Sequence, residues 1–169
     1  MSIKAFVMMV SVVGLIVLGT FDICFSYGFS MGCEQYLKRA ADANTIELAQ
    51  ENLSTALAYV EKHDLTHGTV GIFLRQPKND INYWHRNLTS SIDELSKVTD
   101  ETTQLEKSNI LMKLRETLTD VSGGETGGTC ITHPSGIQVY PLNKLFFWLY
   151  SVLSTLLVCS GLAIGIELS

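Results

Sequence analysis

Leu145-Phe-Phe-Trp148-Leu-Tyr150-Ser-Val-Leu-Ser-Thr-Leu-Leu-Val-Cys159-Ser160-Gly161-Leu-Ala163-Ile-Gly165-Ile166 runs for 22 residues without a charge. A helix needs about 20 apolar residues to cross the core of a bilayer. Phe146, Phe147, Trp148 and Tyr150 crowd its first turns, as aromatic side chains do at the lipid–water interface. The stretch reads as a transmembrane helix, and the rest of the chain is read around it.

At the other end, Ala5–Phe21 is also uncharged and follows Lys4. Ile23, Cys24 and Phe25 extend the run past Asp22. A basic residue before an apolar run also describes a secretory signal. Cleavage signals are poor, since Ser30-Met31-Gly32-Cys33 lacks the Leu of a lipoprotein site and lies far from the start. The segment is read as an uncleaved signal anchor. Ala5–Phe21 spans roughly 25 Å as a helix, which puts Asp22 near the far edge of the hydrocarbon. There a carboxylate is tolerated; deeper, it would mark a polar contact with a partner helix. Gly161 and Gly165 form a GxxxG with Ser160 and Ala163 beside them. Small residues four apart let another helix approach closely, and the first helix, a second copy or another protein would fit.

Nearly all the charge lies between these runs. From Glu34 to Asn143 there are 10 Lys and Arg against 15 Asp and Glu, a net charge of −5. The chain is apolar on average, with a mean hydropathy of +0.21. No basic stripe with interleaved aromatics occurs, which argues against a nucleic-acid partner. The basic pair Lys38-Arg39 is too small for a cluster that holds anionic lipid heads.

Three stretches of the polar part have helical period. Glu34–Lys62 holds no Gly or Pro and is rich in Ala, Leu, Glu and Gln, a strong helix-forming composition. It is predicted as one helix, with Gly28 and Gly32 able to kink its join to the first apolar run. In 80–98, Ile81, Trp84, Leu88, Ile92, Leu95 and Val98 recur at three and four residues and so share a face. In 103–121 the face is Leu111, Leu114, Leu118 and Val121, and Thr103-Gln-Leu-Glu106 has the form of a capping box. Burying the three stripes against each other makes a three-helix bundle. His67–Leu74 and Ile137–Tyr140 read as extended and are predicted to pair as a short two-stranded ribbon. Ser122–Gly128 reads as a flexible linker.

The fold expected is therefore all-α: transmembrane helix 1 over 1–29, a polar helical domain over 30–143 and transmembrane helix 2 over 144–169.

Of four cysteines, Cys24 and Cys159 fall in the apolar runs and read as inert packers. Cys33 and Cys130 both fall within reach of the membrane surface, so a disulfide between them is allowed and would close a long loop; two free thiols are the rival reading. His63 and His67 have a spacing that can hold zinc on a helix, but Gly68 follows at once and no third ligand is placed; no metal and no cofactor are expected. Asn52-Leu-Ser54 and Asn87-Leu-Thr89 match the glycosylation sequon, yet both fall inside predicted helices. No nucleophile elbow, zinc-protease helix or phosphate loop occurs, so no enzyme is expected.

Topology has arguments on both sides. Lys38, Arg39 and Lys144 flank the central part against Lys4 and the amino terminus, which slightly favours a cytoplasmic centre. The signal-anchor form and the Cys33–Cys130 pairing favour an extracytoplasmic or lumenal centre, the reading adopted.

Cys33-Glu-Gln-Tyr36-Leu37-Lys38-Arg39-Ala40-Ala41-Asp42-Ala43, Leu111-Met-Lys113-Leu114-Arg115-Glu116-Thr117-Leu118 and Thr132-His133-Pro134-Ser-Gly136-Ile137 together resemble a group of small bacterial membrane proteins of unknown function. The resemblance covers most of the polar domain and implies no activity or ligand. In outline the chain also resembles the sensor half of a chemoreceptor. Only Glu167, Leu168 and Ser169 follow the second run, so no signalling module is expected there. The function expected is that of an accessory or scaffolding subunit bound to lipid and to other membrane subunits or itself. A ligand-sensing or adaptor module acting through a partner's membrane helices is the alternative.

Overall fold

A computed structural model describes residues 2–121 and 129–168. The linker read at Ser122–Gly128 lies outside them. The described chain has five helices and one two-stranded ribbon.

Helix α1 is continuous over Ile3–Ala41. Ile3–Phe29 and Gln35–Ala41 are α-helical, and Ser30–Glu34 between them winds as a π turn, with Gln35 N–H donating to Ser30 O. Helix α2 is Ile46–Lys62, α3 Ile81–Ser96, α4 Gln104–Leu118 and α5 Asn143–Leu168. The chain divides into two compact units, one of residues up to Tyr27 with those from Gln138, the other Gly28–Ile137.

The first unit is a helical hairpin. Both helices are long and apolar enough to cross a membrane. They run antiparallel: Lys4 Nζ donates to Ala163 O at 3.5 Å, and the rings of Phe25 and Phe146 meet edge to face at 6.3 Å. Between these ends Gly14 lets the helices close, because a Cβ there would stand 3.0 Å from Leu153 Cδ1. Ser11 and Ser160 are buried, and each hydroxyl donates to a carbonyl of its own helix, Val7 O and Leu157 O. Each hydroxyl is therefore satisfied locally and the residue packs as a small one. Large apolar side chains, among them Ile16, Phe21, Ile23, Val158, Leu162 and Ile166, stay exposed.

The second unit holds the core of the polar part. The stretch predicted as one helix over Glu34–Lys62 is two. α1 stops at Ala41, and Thr45 caps α2, its side chain accepting from Leu48 N at 3.3 Å. A capping Thr after Asn44 offers the backbone an alternative to the helix. The break also lets the chain fold back, so that Cys33, Leu37 and Ala40 of α1 and Ala49, Leu53, Ala56 and Val60 of α2 are buried together in the core. The two segments run antiparallel, since Tyr59 near the end of α2 meets Phe29 with ring centroids 6.2 Å apart.

The end of α2 is set by Asp64, whose φ of 57° is left-handed. Leu65 N–H then reaches Val60 O at 2.9 Å and Asp64 N–H reaches Glu61 O at 3.1 Å, the bond pair of a Schellman motif. Leu65 is buried behind it.

Helices α3 and α4 start where the periodicity puts them. Asp80 caps α3 by accepting from Tyr83 N at 3.1 Å. At α4 both bonds of the capping box are present, Thr103 N to Glu106 Oε2 at 2.9 Å and Glu106 N to Thr103 Oγ1 at 3.3 Å. The stripes bury Ile81, Trp84, Leu88 and Leu95 from α3 and Leu114 and Leu118 from α4, whereas Leu105 is exposed.

The ribbon is not the one predicted. α4 ends at Leu118, and β1, Thr119–Val121, pairs antiparallel with β2, Thr129–Ile131, with Asp120 opposite Cys130. Ile137–Val139 is instead a 3-10 turn, and the 67–74 stretch makes only a single bridge, Thr69 to Asp80. β-branched Thr119, Val121, Thr129 and Ile131 suit a short strand pair, and closeness in sequence lowers the closure cost of this pairing below that of the predicted one.

Candidate functional site

The sequence-derived residues fall in separate places. Asp22 is half-buried on α1, and no described residue gives its carboxylate a hydrogen bond or ion pair. Gly161 and Gly165 lie on an open face of α5, with nothing among the described residues within 4 Å of where a Cβ would stand. The glycine that seats the hairpin is Gly14, which carries no GxxxG signature. Only the packing partner, Leu153, distinguishes it from the other glycines of the apolar runs.

All four cysteines are free thiols. Cys33 is 0% exposed on α1, within the core under α2, while Cys130 is exposed on β2. In this structure the two thiols stand apart: Cys33 is in the apolar core and Cys130 is exposed on the ribbon. The histidine pair is likewise dispersed. His63 stacks on Tyr59 with centroids 4.2 Å apart, and His67 lies past the left-handed Asp64, where Nδ1 meets Thr66 Oγ1 at 3.0 Å. The turn at Asp64 removes the shared helical face that the four-residue spacing needs. Among the described residues no three His, Cys, Asp or Glu gather as a metal site. Asn52 and Asn87 sit on α2 and α3 as read, and Asn52 Nδ2 donates to Leu48 O at 2.7 Å.

One concave site was not legible in the sequence. A groove of about 520 Å³ opens between the first turns of α3, the end of α4, the ribbon and the segment after it. Tyr83, Trp84, Leu88, Leu118, Ile131 and Pro134 give it apolar walls, and Lys78, Asp80, Asn87, Asp120, Cys130 and His133 bring polar atoms. Its size and mixed lining lie in the range of small-molecule sites. Trp84 builds it: the indole N–H donates to Thr132 O at 2.8 Å, which ties α3 to the chain leaving β2. Thr132 N–H in turn donates to Leu118 O at 2.8 Å. His133 packs edge to face on Phe29 at 5.2 Å. The Asp80 carboxylate in its wall is engaged as the cap of α3.

The π turn marks a second feature. Tyr59 covers Gly32, and a Cβ at residue 32 would collide with its ring. Burial pushes the Tyr59 hydroxyl above its usual pKa.

In comparison with known proteins, no family model, no curated protein and no solved structure matches this chain.

Proposed function

We propose that this chain is a two-span membrane protein that works as an accessory or scaffolding subunit of a larger membrane assembly. The observation that carries this reading is the uncovered surface of the helical hairpin. α1 and α5 bury only a narrow seam against each other, and among the described residues nothing lies within 4 Å of a Cβ at Gly161 or Gly165. Lipid covers apolar side chains at no cost, but a small-residue face gains packing only from another helix. With both spans in the bilayer, the central unit and the chain ends lie on opposite sides. The signal-anchor form of the first apolar run supports an extracytoplasmic or lumenal central unit.

The test is purification in mild detergent, followed by mass spectrometry of what co-elutes. A stoichiometric membrane partner, lost on Gly161→Leu with Gly165→Leu, is the expected result. A lone monomer at every step overturns it.

The groove lined by Trp84 favours a second reading, an extracytoplasmic ligand-sensing or adaptor module that signals through a partner's membrane helices. A small molecule that raises the melting temperature, and that Trp84→Ala no longer responds to, would select this reading over the first.

A further inference from the structure

The loop between α2 and α3 combines a firm base with an apolar tip. At the base, Val70 N–H donates to Asn79 O at 3.1 Å and Ile81 N–H to Gly68 O at 3.0 Å. Val70 and Leu65 anchor it in the core. Within the loop the backbone turns tightly at Gly71, where a Cβ would collide with the carbonyl oxygen of Leu74. The turn presents Phe73 and Leu74, which are 72% and 71% exposed. Two adjacent large apolar side chains so exposed on a pinned loop signal a surface that something else covers.

Charge says what covers it. Between Asp64 and Asp80 the only charged side chains are Arg75 and Lys78, both exposed beside the apolar tip. An aromatic and an aliphatic residue flanked by cations match the interface of a bilayer: the ring and alkyl group enter the headgroup boundary and the cations meet the lipid phosphates. Place in the chain agrees. The loop leaves α2 just after Tyr59, and Tyr59 packs on Phe29 and Gly32. Those are the residues of the central unit next in sequence to the first apolar run, so the loop starts at the end of the unit that is joined to that run.

We infer that Phe73 and Leu74 form an interfacial anchor that dips into the headgroup region of the bilayer holding the two spans, with Arg75 and Lys78 meeting lipid phosphates. The inference rests on the two-span reading, and one experiment separates the two. The full chain is placed in nanodiscs of phosphatidylcholine and phosphatidylglycerol, with or without lipid brominated high on the acyl chain. Three proteins are compared: the parent, Trp148→Phe, and Trp148→Phe with Phe73→Trp; Leu74→Trp in the same background serves if the last misfolds. Trp84, nearly buried, reports the fold in all three.

Bromolipid quenching of the parent beyond that of Trp148→Phe reports the span, and its absence overturns the two-span reading. With that quenching present, the anchor predicts that the indole added at 73 is blue-shifted and loses most of its emission to bromolipid. The loss falls when Arg75→Gln and Lys78→Gln are added. An added indole with the red-shifted emission of water, unquenched, overturns the anchor. A blue-shifted but unquenched indole also overturns it and assigns the tip to a protein contact.

Discussion

The ring of Tyr59 fills the space that a side chain at Gly32 would occupy, and it does so where α1 winds as a π turn. A π turn inside an α-helix widens the coil by one residue and often marks a place under tertiary constraint. Here the constraint is the return of α2 against α1. The close approach needs a residue without Cβ, and only glycine supplies it.

Gly32→Ala is therefore expected to destabilise the central unit by about 1–3 kcal/mol, the usual range for overpacking a filled site. Tyr59→Leu in the same chain should recover part of the loss, because the two positions share one space and their effects do not add. Denaturant midpoints of the four proteins, followed by circular dichroism, measure the coupling. Additive effects would mean that the ring moves aside freely.

Gly14 and the Gly161–Gly165 pair are expected to behave differently. Gly14→Leu pushes against Leu153 and should loosen the hairpin, read as faster proteolysis or a lower melting temperature in detergent. At Gly161 and Gly165 an added Cβ meets nothing among the described residues, so Gly161→Leu and Gly165→Leu should leave that temperature unchanged while removing a partner. A melting temperature equally sensitive at all three glycines would contradict the seam described.

Cys130 should react within minutes with a polar, membrane-impermeant maleimide, while Cys33 stays unmodified until the protein is unfolded. Burial away from water suppresses thiolate formation and denies access at Cys33, and Cys130 is exposed on β2. Peptide mass mapping of the adduct checks this. Labelling Cys130 on intact cells also reads the side of the membrane: modification from outside places the central unit extracytoplasmically, and protection places it in the cytoplasm. A shared mass loss of two hydrogens that disappears on reduction would instead reveal a Cys33–Cys130 bond.

Asp64 holds a left-handed backbone at the end of α2, where glycine carries no steric penalty. Asp64→Gly should raise stability by a few tenths to about 1 kcal/mol, the strain relieved being partly offset by the freedom of glycine in the unfolded chain. A fall in the unfolding midpoint would show that the Asp side chain makes a contact worth more than the strain.

The capping box at α4 should respond to pH. Hydrogen bonds from the Thr103 backbone and side chain hold the Glu106 carboxyl below its ordinary value of 4.5. A carboxylate with a depressed folded pKa stabilises the fold above its unfolded pKa, and that contribution is lost as pH falls through the lower, folded value. Helix content should thus decline on acidification below about pH 4.5, and Glu106→Gln should flatten that part of the curve. Identical acid profiles for the two proteins would show that the cap is open in solution.

What the sequence determined by itself is local. The two apolar runs, the capping box at Thr103, and the stripe from Ile81 to Leu95 depend on residues a few positions apart, where composition and helical period decide the outcome. Tertiary structure decided what depends on distant partners. Helix propensity over Glu34–Lys62 favours one helix, but burying both alanine-rich faces requires the turn at Asp42–Thr45. The β-branched stretches pointed to strands, and the nearby pairing of Thr119–Val121 with Thr129–Ile131 prevailed over the remote one. The groove drew its walls from three separated segments, with no spacing to announce them. The apolar Leu145–Ile166 run was readable from its first residue to its last, yet which of its neighbours Gly14 would let close was not. That followed only from the packing of Leu153 against the first helix.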